Sequence, residues 1–406
     1  MPPVPYYVVV WFLLIFAWAT NFVIRIGFSA LLPSIITELG LSYTRAGLLA
    51  SAFFYAYVLM QLPAGLLGDR FGRRRVLVLG LLGGGLAAGL TGLTGSFAAL
   101  FVARALTGAC QGTLFSNDRA IIATVTPPDR IGLGQGVSFS GPGLGLTFGL
   151  VIGGLLVEVL PWRTVIMLFG IGPIVAALLI VRYVPTPAPS RARVPIGRRL
   201  RRLFSNGPLC LLGLVSFCAI ADQFILATWA PLFFNEVGVA DLGRAGSYAA
   251  LQGIAASLGM VASGWAHDRL LERGYGSKTA IVAGFIGLAM SMLAMAAAIF
   301  QRSIPGLAVT LFLAAFFCWS IWGAVYAILA RLVREDELGT AFGFSNSIAF
   351  VGAVVAPTAT GLARDLTGSF SAGCVLAAVL AVAGVALTFA VRVPPTIESR
   401  PQEDLP

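Results

Sequence analysis

The 406-residue chain is 58% hydrophobic and 11% charged, with a mean hydropathy of +0.90, too apolar for a water-soluble fold and too regularly punctuated for disorder, so it reads as an integral membrane protein. A β-barrel is excluded because the apolar runs are continuous rather than alternating. The net charge of +10 needs no nucleic acid, since basic loops anchor topology against anionic lipid.

A bilayer span takes ~20 apolar residues. In chain order, apolar stretches bounded by charged or Gly/Pro turns predict helices at 7–31, 46–68, 76–94, 98–124, 133–157, 164–184, 209–234, 245–266, 279–300, 304–330, 340–363 and 371–392. The opening MPPVPYYVVVWFLLIFAW lacks a basic n-region and a small-residue cleavage site, and reads as a retained first span. Between the sixth and seventh spans lies Arg182–Phe204, rich in Pro and Arg. The expected architecture is an all-α membrane protein of twelve transmembrane helices in two pseudo-symmetric six-helix bundles, at 1–184 and 208–392, with a cytoplasmic linker at 185–207 and a cytoplasmic tail at 393–406. Most Arg and Lys fall on the side of that linker, which places both termini in the cytoplasm and the chain in the cell's inner membrane.

The halves repeat each other. GLLGDRFGRRR (Gly65–Arg75) has a counterpart in GWAHDRLLERG (Gly264–Gly274), Gly65 to Gly264 being the same offset as Asp69 to Asp268. A second pair is PPDRIGLGQG (Pro127–Gly136) against VREDELGTAFG (Val333–Gly343). Duplicated six-helix units are what alternating-access carriers are built from, with substrate bound near midplane between the repeats.

Catalytic chemistry finds no support. Cys110, Cys210, Cys218, Cys318 and Cys374 all lie in apolar stretches without a paired spacing, and read as small buried residues rather than metal ligands or disulfides. His267 is the single histidine, which removes a His-based metal cluster or a Ser-His-Asp triad. The expectation is no enzyme, no metal and no cofactor.

An arginine at mid-bilayer costs ~2.5–3.5 kcal/mol on insertion scales, so each intramembrane charge needs a partner, a wet cavity or a function. Asp222 falls near the centre of helix 7 and Arg25 at similar depth on helix 1, its counterpart. They are expected to face each other across a central cavity; the alternative is a structural ion pair that never meets substrate. Arg104, Gln111 and Asp118 recur at spacing seven in helix 4 and share a face. Arg104 either faces the cavity or holds helix packing, and Asp118 either carries protons or pairs with Arg119 or Arg130. Trp319, Trp322 and Tyr326 share a face of helix 10, as a binding wall or as packing. Tyr55, Gln252 and Asn346 are further polar candidates for the pocket.

The segment Gly65–Arg75 resembles the signature loop between helices 2 and 3 of the major facilitator superfamily. That resemblance implies that Gly65, Asp69, Arg70, Gly72 and Arg73, with Asp268 in the repeat, latch an outward-open state and do not bind substrate. Arg104-Ala105-Leu106-Thr107-Gly108 is similar to the superfamily's RxxxG pattern, which implies a conformational role for Arg104. Asn21, Arg25 and the stretch Gly40–Gly65 resemble the anion:cation symporters, in which an arginine on helix 1 meets the substrate carboxylate. Ile24 stands where that family has an acid, and Gln111 where it has a glutamate, so proton coupling moves to Asp222 or Asp118. The core Gly141-Pro142-Gly143-Leu144-Gly145 is similar to an element of drug/proton antiporters. The expected function is a monomeric, proton-coupled importer of a small organic carboxylate working by alternating access, with a proton-coupled drug or cation exporter as the alternative.

Overall fold

The computed structural model describes residues 5–127, 137, 140–184, 201–276, 278–333 and 338–393, and among them every regular element is helical. The expectations for Arg130, for linker residues 185–200 and for tail residues 394–406 lie outside the described residues, as do the side chains of Asp69, His267 and Asp268.

Among the described residues fifteen helices follow in order: α1 (Tyr6–Leu39), α2 (Tyr43–Phe71), α3 (Arg73–Gly92), α4 (Phe97–Gln111), α5 (Leu114–Val125), α6 (Gly141–Val159), α7 (Trp162–Tyr183), α8 (Gly207–Glu236), α9 (Leu242–Ala249), α10 (Leu251–Glu272), α11 (Thr279–Phe300), α12 (Ile304–Ser320), α13 (Trp322–Leu332), α14 (Leu338–Thr367) and α15 (Ser371–Ala390). Three pairs, α4/α5, α9/α10 and α12/α13, each run as one rod with a break, so the described helices are consistent with the expected twelve spans. Ten stretches among the described residues are long and apolar enough to cross a membrane.

Several boundaries differ from expectation. Helix α1 runs through Pro33 to Leu39 instead of ending at 31, and stops at Gly40, whose φ of 57° admits the left-handed cap. The signature segment is largely helix: α2 continues to Phe71, Gly72 at φ 93° makes the turn alone, and α3 starts at Arg73. The break between α12 and α13 is held by a side chain, since Ser263 Oγ on α10 accepts the Gly323 N–H at 2.8 Å. A backbone group freed inside a membrane protein needs such a partner.

Within the N-terminal half α1 packs on α6 and α7, α3 on α7 and α2 on α4; within the C-terminal half α8 packs on α14 and α15, α10 on α12 and α11 on α15. Small residues set these crossings. Gly141 and Gly145, one turn apart on α6, lie against Ile15 and Ala19 of α1 with no room for a Cβ, and Gly149 one turn further lies close against Val23 and Gly27. The antiporter-like glycines thus have a packing role here. Exposed Leu59, Leu86, Val159, Val261, Met290 and Phe389 cover the outside with apolar side chains, as lipid contact requires. The halves meet chiefly through α2 with α14 and α6 with α9, toward the end carrying the α1–α2 connection, here called the distal end.

Candidate functional site

A narrow cavity of about 60 Å³ lies where the two halves face each other. Trp18, Phe22, Arg25, Tyr57, Phe115 and Pro142 line it from the N-terminal half. Ile220, Gln223, Met260, Trp319, Trp322, Tyr326, Asn346 and Phe350 line it from the C-terminal half.

Arg25 is 4% exposed. Its guanidinium carbon lies 4.5 Å from the Phe22 ring centre, 4.8 Å from Phe53 and 4.5 Å from Tyr57. Nη2 donates to Gln111 Oε1 at 3.5 Å, while Nε has no hydrogen-bond partner. Ring faces attract a desolvated cation, and Arg is the cation that stacks best. The neutral Gln111 amide stays in place through its own bond from Nε2 to the Asn21 carbonyl at 3.4 Å.

Arg104 is equally buried, with its guanidinium carbon 4.0 Å from the Phe28 ring and 5.3 Å from Phe53. Its Nε and Nη1 have no hydrogen-bond partner. Phe53 therefore lies against both guanidiniums. Neither arginine forms an ion pair with a carboxylate among the described residues, so two buried positive groups sit close together with N–H donors unspent. Burial without compensation is costly, and an anion is the ligand that such a pair favours.

Asp222 is fully buried, yet it forms no ion pair with Arg25, does not line the cavity, and neither carboxyl oxygen has a hydrogen-bond partner. The expected direct partnership of these two residues is corrected by the geometry: α8 turns Ile220 and Gln223 into the cavity, and Asp222 lies between them on another face of the helix.

The helix-4 stripe is buried along its length, at Arg104, Gln111 and Asp118. Asp118 Oδ2 accepts from Trp18 Nε1 at 2.5 Å and from Arg119 Nη2 at 2.8 Å, so the pairing with Arg119 weighed from the sequence is present. Through Trp18 the carboxylate also braces a cavity wall.

Trp319, Trp322, Tyr326 and Asn346 all line the cavity, and Tyr326 packs at a tilt between Trp322 and Phe342 with ring centres 5.6 Å from each. Gln252 is buried with Nε2 unpartnered, outside the cavity lining. Tyr55 is a correction: it is 42% exposed and packs toward Phe101 on the outside. Two positions along a helix turn a side chain roughly 200°, so Tyr57 faces inward instead, stacked on Phe53 with ring centres 5.6 Å apart. Of the segment tied to the signature, Arg73 donates to the Ser116 carbonyl at 3.3 Å, Arg70 is exposed, and Gly65 and Gly68 lie against Ser116 and Asn117 of α5.

The sequence reading missed Trp18, Phe22, Gln223 and Phe350. A signal existed for most of them. Trp18, Phe22 and Arg25 recur at helical spacing, and Phe350 stands one turn beyond Asn346.

The family model described as Major Facilitator Superfamily matches residues 10–274 and 268–406. A probable sulfoacetate transporter, SauU, of Cupriavidus necator is 29% identical over 366 residues, covering 85% of this chain and 84% of its own. A hexuronate transporter of Bacillus subtilis is 26% identical over 396 residues, covering 91% and 90%. Among solved structures, a bacterial homolog of the human lysosomal transporter Spinster, in an inward-facing and occupied conformation, superimposes with a TM-score of 0.83 at 18% identity, over 96% of this chain and 97% of that one.

Proposed function

The chain belongs to the Major Facilitator Superfamily, and from that premise we propose that this transporter, which is not an enzyme, carries a small organic anion across the cytoplasmic membrane by proton-coupled alternating access. The observation that carries the reading is the pair Arg25 and Arg104, buried beside Phe53 without an acidic ion-pair partner among the described residues. The names borne by the relatives from Cupriavidus necator and Bacillus subtilis, sulfoacetate and hexuronate transporters, agree with it.

In this reading Arg25 offers the substrate carboxylate a charge-assisted contact, bidentate where both guanidinium edges are free. Trp18, Trp319, Trp322 and Tyr326 supply apolar walls with polar edges, and Gln223 and Asn346 fix hydroxyl or carbonyl groups of the cargo. Asp222 is the group that exchanges protons. The termini, the linker and the basic end of the bundle lie in the cytoplasm, and the protein works as a monomer of two six-helix bundles, residues 1–184 and 208–392.

The test is uptake of labelled carboxylates into proteoliposomes under an imposed proton gradient, preceded by a thermal-shift screen of carboxylates at two pH values, since a ligand that binds the folded form raises its melting temperature by mass action. Accumulation of a carboxylate driven by inward-directed protons supports the proposal. Proton-driven depletion of a cationic solute, with no carboxylate bound, would replace it with an exporter.

A further inference from the structure

Two junctions close the distal end, and they are copies of each other. On one side Asp365, near the end of α14, reaches the start of α2 in the opposite half. Its Oδ1 accepts the Tyr43 N–H at 3.0 Å, and Oδ2 accepts the Thr44 N–H at 2.7 Å and the Thr44 hydroxyl at 2.5 Å. On the other side Glu158, at the end of α6, reaches the start of α9, where Oε1 accepts the Gly243 N–H at 2.5 Å.

The correspondence holds residue by residue. The repeat that pairs Gly65 with Gly264 shifts numbers by 199, and the one that pairs Gly136 with Gly343 shifts them by 207. The first shift carries Thr44 onto Gly243, and the second carries Glu158 onto Asp365. The capping residues Ser42 and Asp241 correspond in the same way, each accepting the backbone N–H three residues on, from Arg45 and Arg244. Below each carboxylate two glycines seat the crossing. Gly47 and Gly361 lie against the carbonyls of Pro357 and Tyr43, and their counterparts Gly246 and Gly154 lie against those of Leu150 and Leu242. None of the four has room for a Cβ.

We propose that Glu158 and Asp365 are the two arms of one latch, each closing its half's fifth helix onto the exposed N-terminus of the other half's second helix, so that their joint strength sets how often the distal side opens. Four orphan N–H groups and the positive end of the helix dipole make a helix N-terminus a good seat for a carboxylate. The seat lies in the opposite half, so rotation of one half against the other breaks both arms together, whatever the cargo. The arms are unequal. At α9 Asp241 stands beside Glu158 and itself caps the helix at the Arg244 N–H, whereas at α2 the cap is the hydroxyl of Ser42 and Asp365 alone brings a carboxylate.

The test places spin labels at Leu93→Cys and Phe300→Cys on the distal rim, both exposed and on opposite halves, with Cys110 and Cys210 changed to Ala, in lipid nanodiscs. Electron–electron distance distributions are then compared for the parent, Glu158→Gln, Asp365→Asn and the double variant. Losing the negative charge at the helix N-terminus raises the open-to-closed ratio about two- to fivefold at Asp365, less at Glu158, with the double variant above both. An unchanged distribution in the folded double variant, or a shift toward closure, overturns the proposal. Thr44→Val, which removes only the hydroxyl arm at Asp365, is the milder variant and decides the matter should the double variant lose its fold: it lengthens the distal distances if the proposal is right and leaves them alone if it is wrong.

Discussion

Arg25 and Arg104, on the first and fourth spans, share one neighbour: their guanidinium carbons lie 4.8 and 5.3 Å from the ring of Phe53. Two cations held against a single apolar ring, without a carboxylate paired to either, are costly to bury. The arrangement is explicable as a site prepared for negative charge.

Arg25→Lys should lower carboxylate uptake at least about tenfold, because an ammonium cannot reproduce the planar fork or its stacking between Phe22 and Tyr57. Initial rates in proteoliposomes give the answer. Wild-type rates in the lysine variant would remove Arg25 from the binding role.

Tyr55 and Tyr57 of α2 separate the lipid face from the cavity. Tyr57→Ala should raise KM for uptake several-fold, since the ring both lines the cavity and supports Arg25, while Tyr55→Ala should leave KM within about twofold, surface substitutions being near neutral. Equal effects in kinetic assays would contradict the placement of these side chains.

Trp18→Phe keeps the ring but removes the indole donor to Asp118. A buried carboxylate that loses one partner costs about 1–3 kcal/mol, read as a lower melting temperature in detergent. Asp118→Asn in the same background should add less than it does alone, because the two residues belong to one network.

Asp222→Asn should abolish accumulation driven by a proton gradient while sparing exchange of labelled for unlabelled substrate at equal pH. Both assays use the same vesicles. Loss of exchange as well would give Asp222 a structural role and return proton coupling to Asp118.

Gly108→Ala tests how α4 carries Arg104 to its place. A Cβ there would collide with the Phe53 carbonyl, and overpacking of this kind costs about 1–3 kcal/mol. Thermal unfolding should show the loss, with Gly89→Ala, where a Cβ meets nothing, as the unaffected control.

Much of this protein is written in short-range pattern. Apolar runs long enough to span a bilayer, the Gly65 and Gly264 segments and the placement of basic residues define helices, repeat and family, because lipid forces every backbone group to be satisfied within its own helix. Arg25, Gln111 and Asn346 could be named because polar groups inside a span are few, and Trp319, Trp322 and Tyr326 because they share one helical face. Which way Asp222 and Tyr55 face was decided by tertiary structure alone. A single helix offers all of its sides, and only the packing of α8 against α14 and of α2 against α4 and α14 selects the side that meets the cavity. The distal carboxylates show the same division, since the sequence contains the repeat that relates Glu158 to Asp365, but the seat of each lies in the other half, and no pattern within one half can reveal it.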